Sequence, residues 1–136
     1  MIHHYDSVYR DNLDKFHHDL AENLHILPTL EESVSSNALR FLLEWACQSQ
    51  NSRNIQLGRD GLKSIPRDWL LSNIEKETKA CLNLEDEWEF RRLTEIYFDL
   101  DIGLAKKLAQ VGLQSENEEV VEAAKDLLDW IVDAGE

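Results

Sequence analysis

The chain has 136 residues, of which 43% are hydrophobic and 30% charged, with only two prolines and five glycines. This length suffices for a buried core, and the scarcity of turn residues favours long helices over an all-β fold. The net charge of −13 repels phosphate backbones, so we expect no nucleic-acid partner. The chain has neither a signal-peptide core nor an apolar run of membrane-spanning length, which predicts a cytoplasmic protein that does not contact a membrane.

The N-terminal part of the chain is predicted to form two helices. The first covers residues 5–27, where apolar side chains recur at steps of three and four along one helical face. Pro28 ends it, because the residue before a proline resists the α conformation. Thr29 and Glu32 have the spacing of a capping box, which predicts the second helix start there, with Ser36 as an equally good alternative.

Residues 37–48 form the next predicted helix, and a polar joint separates it from a helix over residues 53–65. The second of these contains Gly58 and Gly61, each of which costs about 1 kcal/mol relative to alanine within a helix. We interpret both glycines as positions where another helix approaches closely, in preference to a phosphate-binding loop.

The following helix runs to about Ala80, which we place on its apolar side. The strongest helical pattern of the chain then covers residues 86–99, with Asn83 as its predicted cap. Acidic residues in its first turn oppose the helix dipole favourably. Trp88 and Phe90 are predicted to pack against neighbouring helices.

Two further helices complete the pattern. Asp101 is predicted to open the first of them, Val111 to face inward and Gly112 to end it. Ser115 or Asn117 caps the last helix. The sequence therefore predicts about seven helices joined by short connections.

Three stretches share one pattern at intervals of 35 and 31 residues, beginning at Asn51, Asp86 and Asn117. Each starts with a capping residue, has an apolar residue at its fifth position and an acidic one at its tenth, and follows another helix. A single helical hairpin cannot bury its own apolar face, whereas stacked neighbours can. We therefore predict a single helical-repeat domain over residues 1–136, with N-terminal capping helices in 1–36 and about three helix-pair repeats in 37–131.

The stretches WEFRRLTEI and SENEEVVEAAKDLL resemble the HEAT-type α-solenoid repeats of small bacterial proteins, and the resemblance extends over residues 37–131. It implies an all-α, right-handed helical-hairpin repeat of about seven helices. It also implies a scaffold that binds another protein along one face, without chemistry of its own. On this basis we expect a non-enzymatic protein–protein interaction module.

Stacked repeats would align equivalent positions of their second helices into a strip that faces a partner. The predicted partner-binding strip consists of Gln56, Arg91 and Glu122, followed one turn further on by Asp60, Glu95 and Asp126. Arg91 and Glu95 are also spaced to pair within their own helix.

Candidates for chemistry are few. Asp14, His18 and Glu22 lie at steps of four on the first predicted helix, a spacing that metal sites use. No HExxH motif or downstream ligand cluster accompanies them, so an exposed polar face is the favoured interpretation, and we predict no metal and no cofactor. Cys47 and Cys81 lie in apolar stripes without a neighbouring histidine, which favours core thiols over nucleophiles.

Charge is unevenly distributed along the chain. Residues 51–68 have a net charge of +2, whereas residues 115–136 hold one lysine and eight acidic residues, a net charge of −7. Solvated helix faces would explain both regions, and the sharper hypothesis is an acidic C-terminal surface that docks a basic partner. The basic island consists of Arg53, Arg59, Lys63 and Arg67, the last three spaced by four and thus predicted on one helix side.

Two alternatives to the interaction module follow from these features. In the first, the chain is an acidic immunity- or inhibitor-type protein that covers a basic toxin or nuclease. In the second, it is a helical enzyme that uses the weak metal set on the first helix. We favour the interaction module because the repeat pattern and its HEAT-like resemblance imply it, and because no catalytic fingerprint accompanies the metal set.

Overall fold

A computed structural model describes residues 4–135, and over that range the chain is all-helical with no strand. Residues 1–3 of the predicted N-terminal cap lie outside the described range. The predicted all-α class is confirmed, and within the described residues no helix is both long and apolar enough to cross a membrane. The α-helices are α1 (His4–Phe16), α2 (Glu32–Ala46), α3 (Ser52–Lys63), α4 (Arg67–Cys81), α5 (Glu87–Leu100), α6 (Ile102–Leu113) and α7 (Glu118–Asp133).

The chain divides into two compact units, Met1–Leu82 and Asn83–Glu136. The first contains α1 to α4 and two 3-10 helices, and the second contains α5 to α7. The first predicted helix pair, α2 with α3, and the third, α6 with α7, each pack together within one unit. The boundary between the units falls inside the middle predicted pair, and a right-handed solenoid of three stacked pairs stays a prediction.

The first α-helix ends eleven residues earlier than predicted, at Phe16. Asp19 adopts a left-handed conformation with φ of 54°, and the Asp14 carboxylate accepts a hydrogen bond from the Ala21 amide at 3.1 Å. Both features redirect the backbone into the 3-10 helices Leu20–Glu22 and Leu24–Thr29. The apolar spacing still predicted burial, except at the half-buried Phe16, because a 3-10 helix also returns a side chain to the same side at every third residue.

Helix α2 begins at Glu32, five residues before the predicted start at residue 37. The predicted capping box is wrong, because the Thr29 hydroxyl donates to the carbonyl of Ile26 at 2.7 Å instead of to a helix start. Ser35 lies inside α2, where its hydroxyl donates back to the carbonyl of Glu32 at 3.1 Å. Such back-bonding accommodates a serine without ending the helix.

The two glycines of α3 allow α2 to approach closely, as predicted. A Cβ atom on Gly58 would lie 2.5 Å from the Ala46 amide nitrogen and 2.9 Å from the Leu42 carbonyl oxygen. A Cβ atom on Gly61 would meet the Tyr9 hydroxyl and lie 2.6 Å from Leu42 Cδ2. Because real Cβ atoms do not approach backbone atoms so closely, only glycine fits at Gly58 without separating the helices.

A buried carboxylate connects α4 to α2 in the first unit. Glu77 is 1% exposed, and Arg40 Nε donates to its Oε1 at 2.8 Å. Burial raises the pKa of the Glu77 carboxyl, but hydrogen bonds from Arg40 and Ser36, with the charges of Arg40 and Lys76, outweigh it and hold the pKa below its usual value. Glu77 therefore occupies the inward side of α4, while Ala80, predicted on that side, is exposed.

The second unit is a three-helix bundle, since each of α5, α6 and α7 packs against the other two. Asp86, the predicted capping residue at the start of its repeat stretch, caps α5 by accepting from the amides of Trp88 and Glu89, both at 3.0 Å, and the other predicted cap, Asn83, does not. The predicted caps of α6 and α7 are confirmed, with Asn117 and not Ser115 as the cap of α7. Asp101 accepts from the amide of the third α6 residue at 3.0 Å, and Asn117 from the second α7 residue at 2.9 Å.

The core of this bundle centres on Phe90, which is fully buried as predicted. Its ring lies where a Cβ atom of Gly112 would be, and that Cβ would also be 2.8 Å from Ala124 Cβ. Gly112 is thus a packing position inside α6, which continues to Leu113, and not the predicted helix end. Val111 is 52% exposed, which corrects the predicted inward orientation.

Candidate functional site

Arg91 lies at the seam between α5 and α7 and is the centre of an acidic network. Its Nε is 3.0 Å from Glu87 Oε2, its Nη1 is 3.5 Å from Asp126 Oδ2, and its Nη2 is 3.9 Å from Glu119 Oε2. One guanidinium therefore faces three carboxylates from two helices. Of the predicted strip, the structure brings Arg91 and Asp126 together.

Two further strip residues make ion pairs within their own helices. Glu95 Oε1 lies 3.4 Å from Arg92 Nη1 on α5, and Glu122 Oε1 lies 3.6 Å from Lys125 Nζ on α7. Ion pairs at these spacings on a helix surface contribute only a few tenths of a kcal/mol to the stability of a helix. The predicted pairing of Arg91 with Glu95 stays a prediction.

Gln56 and Asp60 belong to the first unit, where both are exposed on α3. Gln56 Nε2 donates to Asp60 Oδ1 at 2.8 Å. Burial of the Tyr9 side chain, together with the charge of Asp60, raises the pKa of the Tyr9 hydroxyl to about 12. The six predicted residues thus divide between the units, two in the first and four in the second, and one continuous strip stays a prediction.

Trp88 is 48% exposed, which corrects the prediction that it packs against neighbouring helices. The guanidinium carbon of Arg92, one turn along α5, lies 5.9 Å from the centre of its ring. This distance is within the range of a cation–π contact. Trp88 is therefore exposed at the start of α5, and the cation beside its ring, Arg92, belongs to the same helix.

A second exposed aromatic group lies between α5 and α7, and the sequence pattern missed it. Trp130 is 38% exposed and contacts Phe98 edge to face, with ring centroids 5.8 Å apart and planes inclined at 63°. Edge-to-face contacts of this kind favour one orientation of an aromatic ring by about 0.5–1.5 kcal/mol. The sequence did contain a signal for its exposure, because Trp130 falls outside the apolar stripe of α7. The last residue of that stripe is Ile131.

Exposed apolar surface and negative charge both concentrate in the second unit. Residues 1–82 hold nine basic and twelve acidic residues, a net charge of −3, whereas residues 83–136 hold five and fifteen, a net charge of −10. Four of the five large hydrophobic side chains that are exposed among the described residues also belong to this unit: Trp88, Val111, Trp130 and Val132.

The predicted metal set is not assembled, because its helix ends at Phe16. The Asp14 carboxylate binds the Ala21 amide, and His18 Nε2 lies 3.0 Å from Asp19 Oδ2. Glu22 pairs with Arg10. Within residues 4–135, no three His, Cys, Asp or Glu side chains are grouped so that they could hold a metal ion.

The remaining candidates lie in the first unit. Cys47 is buried and Cys81 half-buried, each as a thiol. The basic island is not a single helix side, because α3 ends at Lys63 and Arg67 begins α4. Arg53 binds Asp6 through both carboxylate oxygens, with Nε 2.7 Å from Oδ1.

Comparison of the chain with protein-family models, with curated proteins and with solved structures finds no match. Function is therefore inferred from the surface of the chain itself. The strongest functional signal on that surface is the coincidence of acidic and exposed aromatic side chains in residues 83–136.

Proposed function

We propose that the chain is a non-enzymatic protein-binding module, and that the second unit carries the surface that binds a partner with a basic face. The observation that supports this proposal is the concentration of negative charge and exposed tryptophan in one three-helix bundle. Tryptophan is enriched among the residues that contribute most to protein interfaces, and unlike charges steer association.

The acidic side chains of α7 form the broadest part of this surface. Six of them are exposed, and several follow one another at steps of four, where like charges destabilise a helix by about 0.2–0.5 kcal/mol per pair. Arg91 offsets part of this repulsion. The remaining repulsion destabilises the helix, and a role of these residues in binding explains why the chain carries them. The six residues are Glu118, Glu119, Glu122, Asp126, Asp129 and Asp133.

Affinity capture with the tagged chain, followed by mass spectrometry, tests the proposal. Reversal of Glu122, Asp129 and Asp133 to lysine changes the α7 charge without removing a carboxylate that faces Arg91. We expect this triple variant to lose the partner, and the wild-type complex to weaken as salt rises.

The matched control makes the same change of charge on the first unit. It reverses three exposed acidic residues there to lysine: Asp11, Glu44 and Asp68. We expect this control to retain the partner. Retention of the partner by the α7 variant, or equal loss in both variants, would contradict a binding surface on the second unit.

An inhibitor-type role is the second candidate, and the net charge of −10 over residues 83–136 favours it. In this version the partner is a basic toxin or nuclease, and the acidic bundle covers its active site. Addition of equimolar chain would then abolish the activity of the captured partner, whereas a scaffold would bind it and leave its activity intact. The HEAT-like resemblance and the cytoplasmic location stay predictions in either version.

A further inference from the structure

We infer that the α7 face around Trp130 binds an arginine side chain of the partner, an inference that rests on the proposed function and specifies its central contact. On the helix, Asp126 and Asp133 lie four residues before and three residues after Trp130, so the three share one side of α7. All three are exposed. Along this side of the helix, the position of Trp130 therefore lies between two acidic positions.

Packing holds this ring in place before any partner binds. Phe98 of α5 contacts Trp130 edge to face at 5.8 Å between centroids, yet 38% of the Trp130 surface stays open to solvent. A ring fixed in this way loses little conformational freedom on binding, which reduces the entropic cost of the contact. The surface is thus partly preorganised for a flat, charged group.

The chemistry of the face matches arginine better than lysine. A guanidinium is planar, stacks on an aromatic face and forms two parallel hydrogen bonds with a carboxylate, whereas an ammonium is a compact point charge. The same unit holds an arginine over a tryptophan ring and an arginine beside an aspartate. Arg92 lies over the exposed ring of Trp88 at 5.9 Å, and Arg91 lies 3.5 Å from Asp126.

The two exposed tryptophans of the unit therefore differ in one respect. The ring of Trp88 already contacts the guanidinium of Arg92 on the same helix, whereas the ring contact described for Trp130 is with Phe98. Asp126 is shared with Arg91, so Asp133 and the neighbouring Asp129 contribute most of the attraction for an incoming cation. Trp88 is for this reason the matched control for Trp130.

The test titrates the 136-residue chain with a nona-arginine peptide and, separately, with nona-lysine at constant ionic strength, by isothermal titration calorimetry. We expect the wild-type chain to bind nona-arginine more tightly than nona-lysine. Trp130→Leu keeps an apolar side chain and every charge, and should weaken nona-arginine binding about threefold to tenfold while removing the preference for arginine. Trp88→Leu should bind as wild type.

A second variant guards against a folding defect in Trp130→Leu. Asp133→Asn keeps the size of the side chain at an exposed position and should weaken nona-arginine binding about twofold to threefold. Circular dichroism spectra that match wild type would show that each variant is folded.

Failure of the inference and failure of the proposed function give different results. If the triple lysine variant of α7 loses the captured partner but Trp130→Leu retains wild-type affinity for nona-arginine, the arginine contact is overturned and the acidic binding surface stands. Wild-type binding of the captured partner without any preference for nona-arginine also overturns the contact. If the triple variant retains both the partner and the peptide, the proposed function fails as well.

Discussion

The first unit buries a carboxylate and carries a net charge of −3, whereas the second carries −10 and leaves both of its tryptophans exposed. In the first unit Glu77 is buried and bonded to Arg40, and the two tryptophans, Trp45 and Trp69, are half-buried. The first unit thus uses its polar and aromatic groups in packing. The second unit holds comparable groups on its surface, where they add little to stability and are accessible to a partner.

The largest expected effect separates the two aromatic residues at the start of α5. Phe90→Ala should lower the free energy of unfolding by about 3–5 kcal/mol, because the ring is fully buried against Gly112. Trp88→Ala should lower it by about 1 kcal/mol, since Trp88 is 48% exposed and contacts Arg92. Urea unfolding followed by circular dichroism measures both, and equal losses would remove the distinction between core and surface aromatics.

The next effect concerns the first unit at alkaline pH. The pKa of Tyr9 is raised to about 12 from 10, so the folded chain holds this proton more tightly than the unfolded chain. The contribution is complete below pH 10 and is lost as pH rises from 10 towards 12, about 2–3 kcal/mol in all. The free energy of unfolding should fall more steeply over this range for wild type than for Tyr9→Phe.

The exposed Tyr5 provides the control for this titration. Tyr5→Phe keeps Tyr9 and should keep the wild-type decrease in the free energy of unfolding above pH 10. Parallel pH profiles for wild type and Tyr9→Phe would show that burial of Tyr9 does not stabilise its neutral form.

A smaller effect is expected from the close contact of α2 and α3. Gly58→Ala should lower the free energy of unfolding by about 1–3 kcal/mol, because the added Cβ would overlap the backbone at Ala46. This loss would occur although alanine is favoured over glycine by about 1 kcal/mol in a helix. Gly103→Ala in the first turn of α6 is the control, because its added Cβ would lie 3.0 Å from the Asp101 carboxylate but would meet no backbone atom, so it should cost less than Gly58→Ala. An equal or smaller loss at Gly58 would contradict the close contact.

The smallest expected effect tests whether the acidic surface of the second unit contributes to folding. Asp129→Lys with Asp133→Lys should raise the free energy of unfolding by about 0.5–1 kcal/mol, since the substitutions place two cations near the C-terminal end of α7, where they complement the helix dipole, and reduce the net negative charge of the helix. Glu118→Lys, at the opposite end of the same helix, should lower it slightly. Thermal unfolding of the three proteins measures this, and a loss of stability in the double variant would assign these acids a structural role.

Local signals in the sequence predicted a large part of the fold. Asn51, Asp101 and Asn117 were predicted as helix caps, and each accepts an amide at the start of its helix, because capping depends only on residues two or three positions away. The buried positions of the N-terminal region were also predictable, although the type of helix was not. The left-handed residue Asp19, which ends the α-helical path, carries no comparable signal.

Side chains near the edge of an apolar stripe were less predictable. Val111 and Gly112 are neighbours in α6, yet the first is 52% exposed and the second is buried against Phe90. Successive residues of a helix point about 100° apart, so a small rotation of the helix decides which of two neighbours faces the core. Trp88 was placed in the core for the same reason.

The sequence predicted which types of residue form the candidate site but not how their side chains are arranged in space. The sequence by itself determined the all-α class, most helix caps and the acidic C-terminal region, because these depend on local hydrogen bonding, periodicity and net charge. Only the tertiary structure placed Arg91 beside Asp126, Phe98 against Trp130 and Arg40 against the buried Glu77. Each of these pairs joins two helices, so it depends on how whole helices rotate and pack, which no single stretch of sequence specifies.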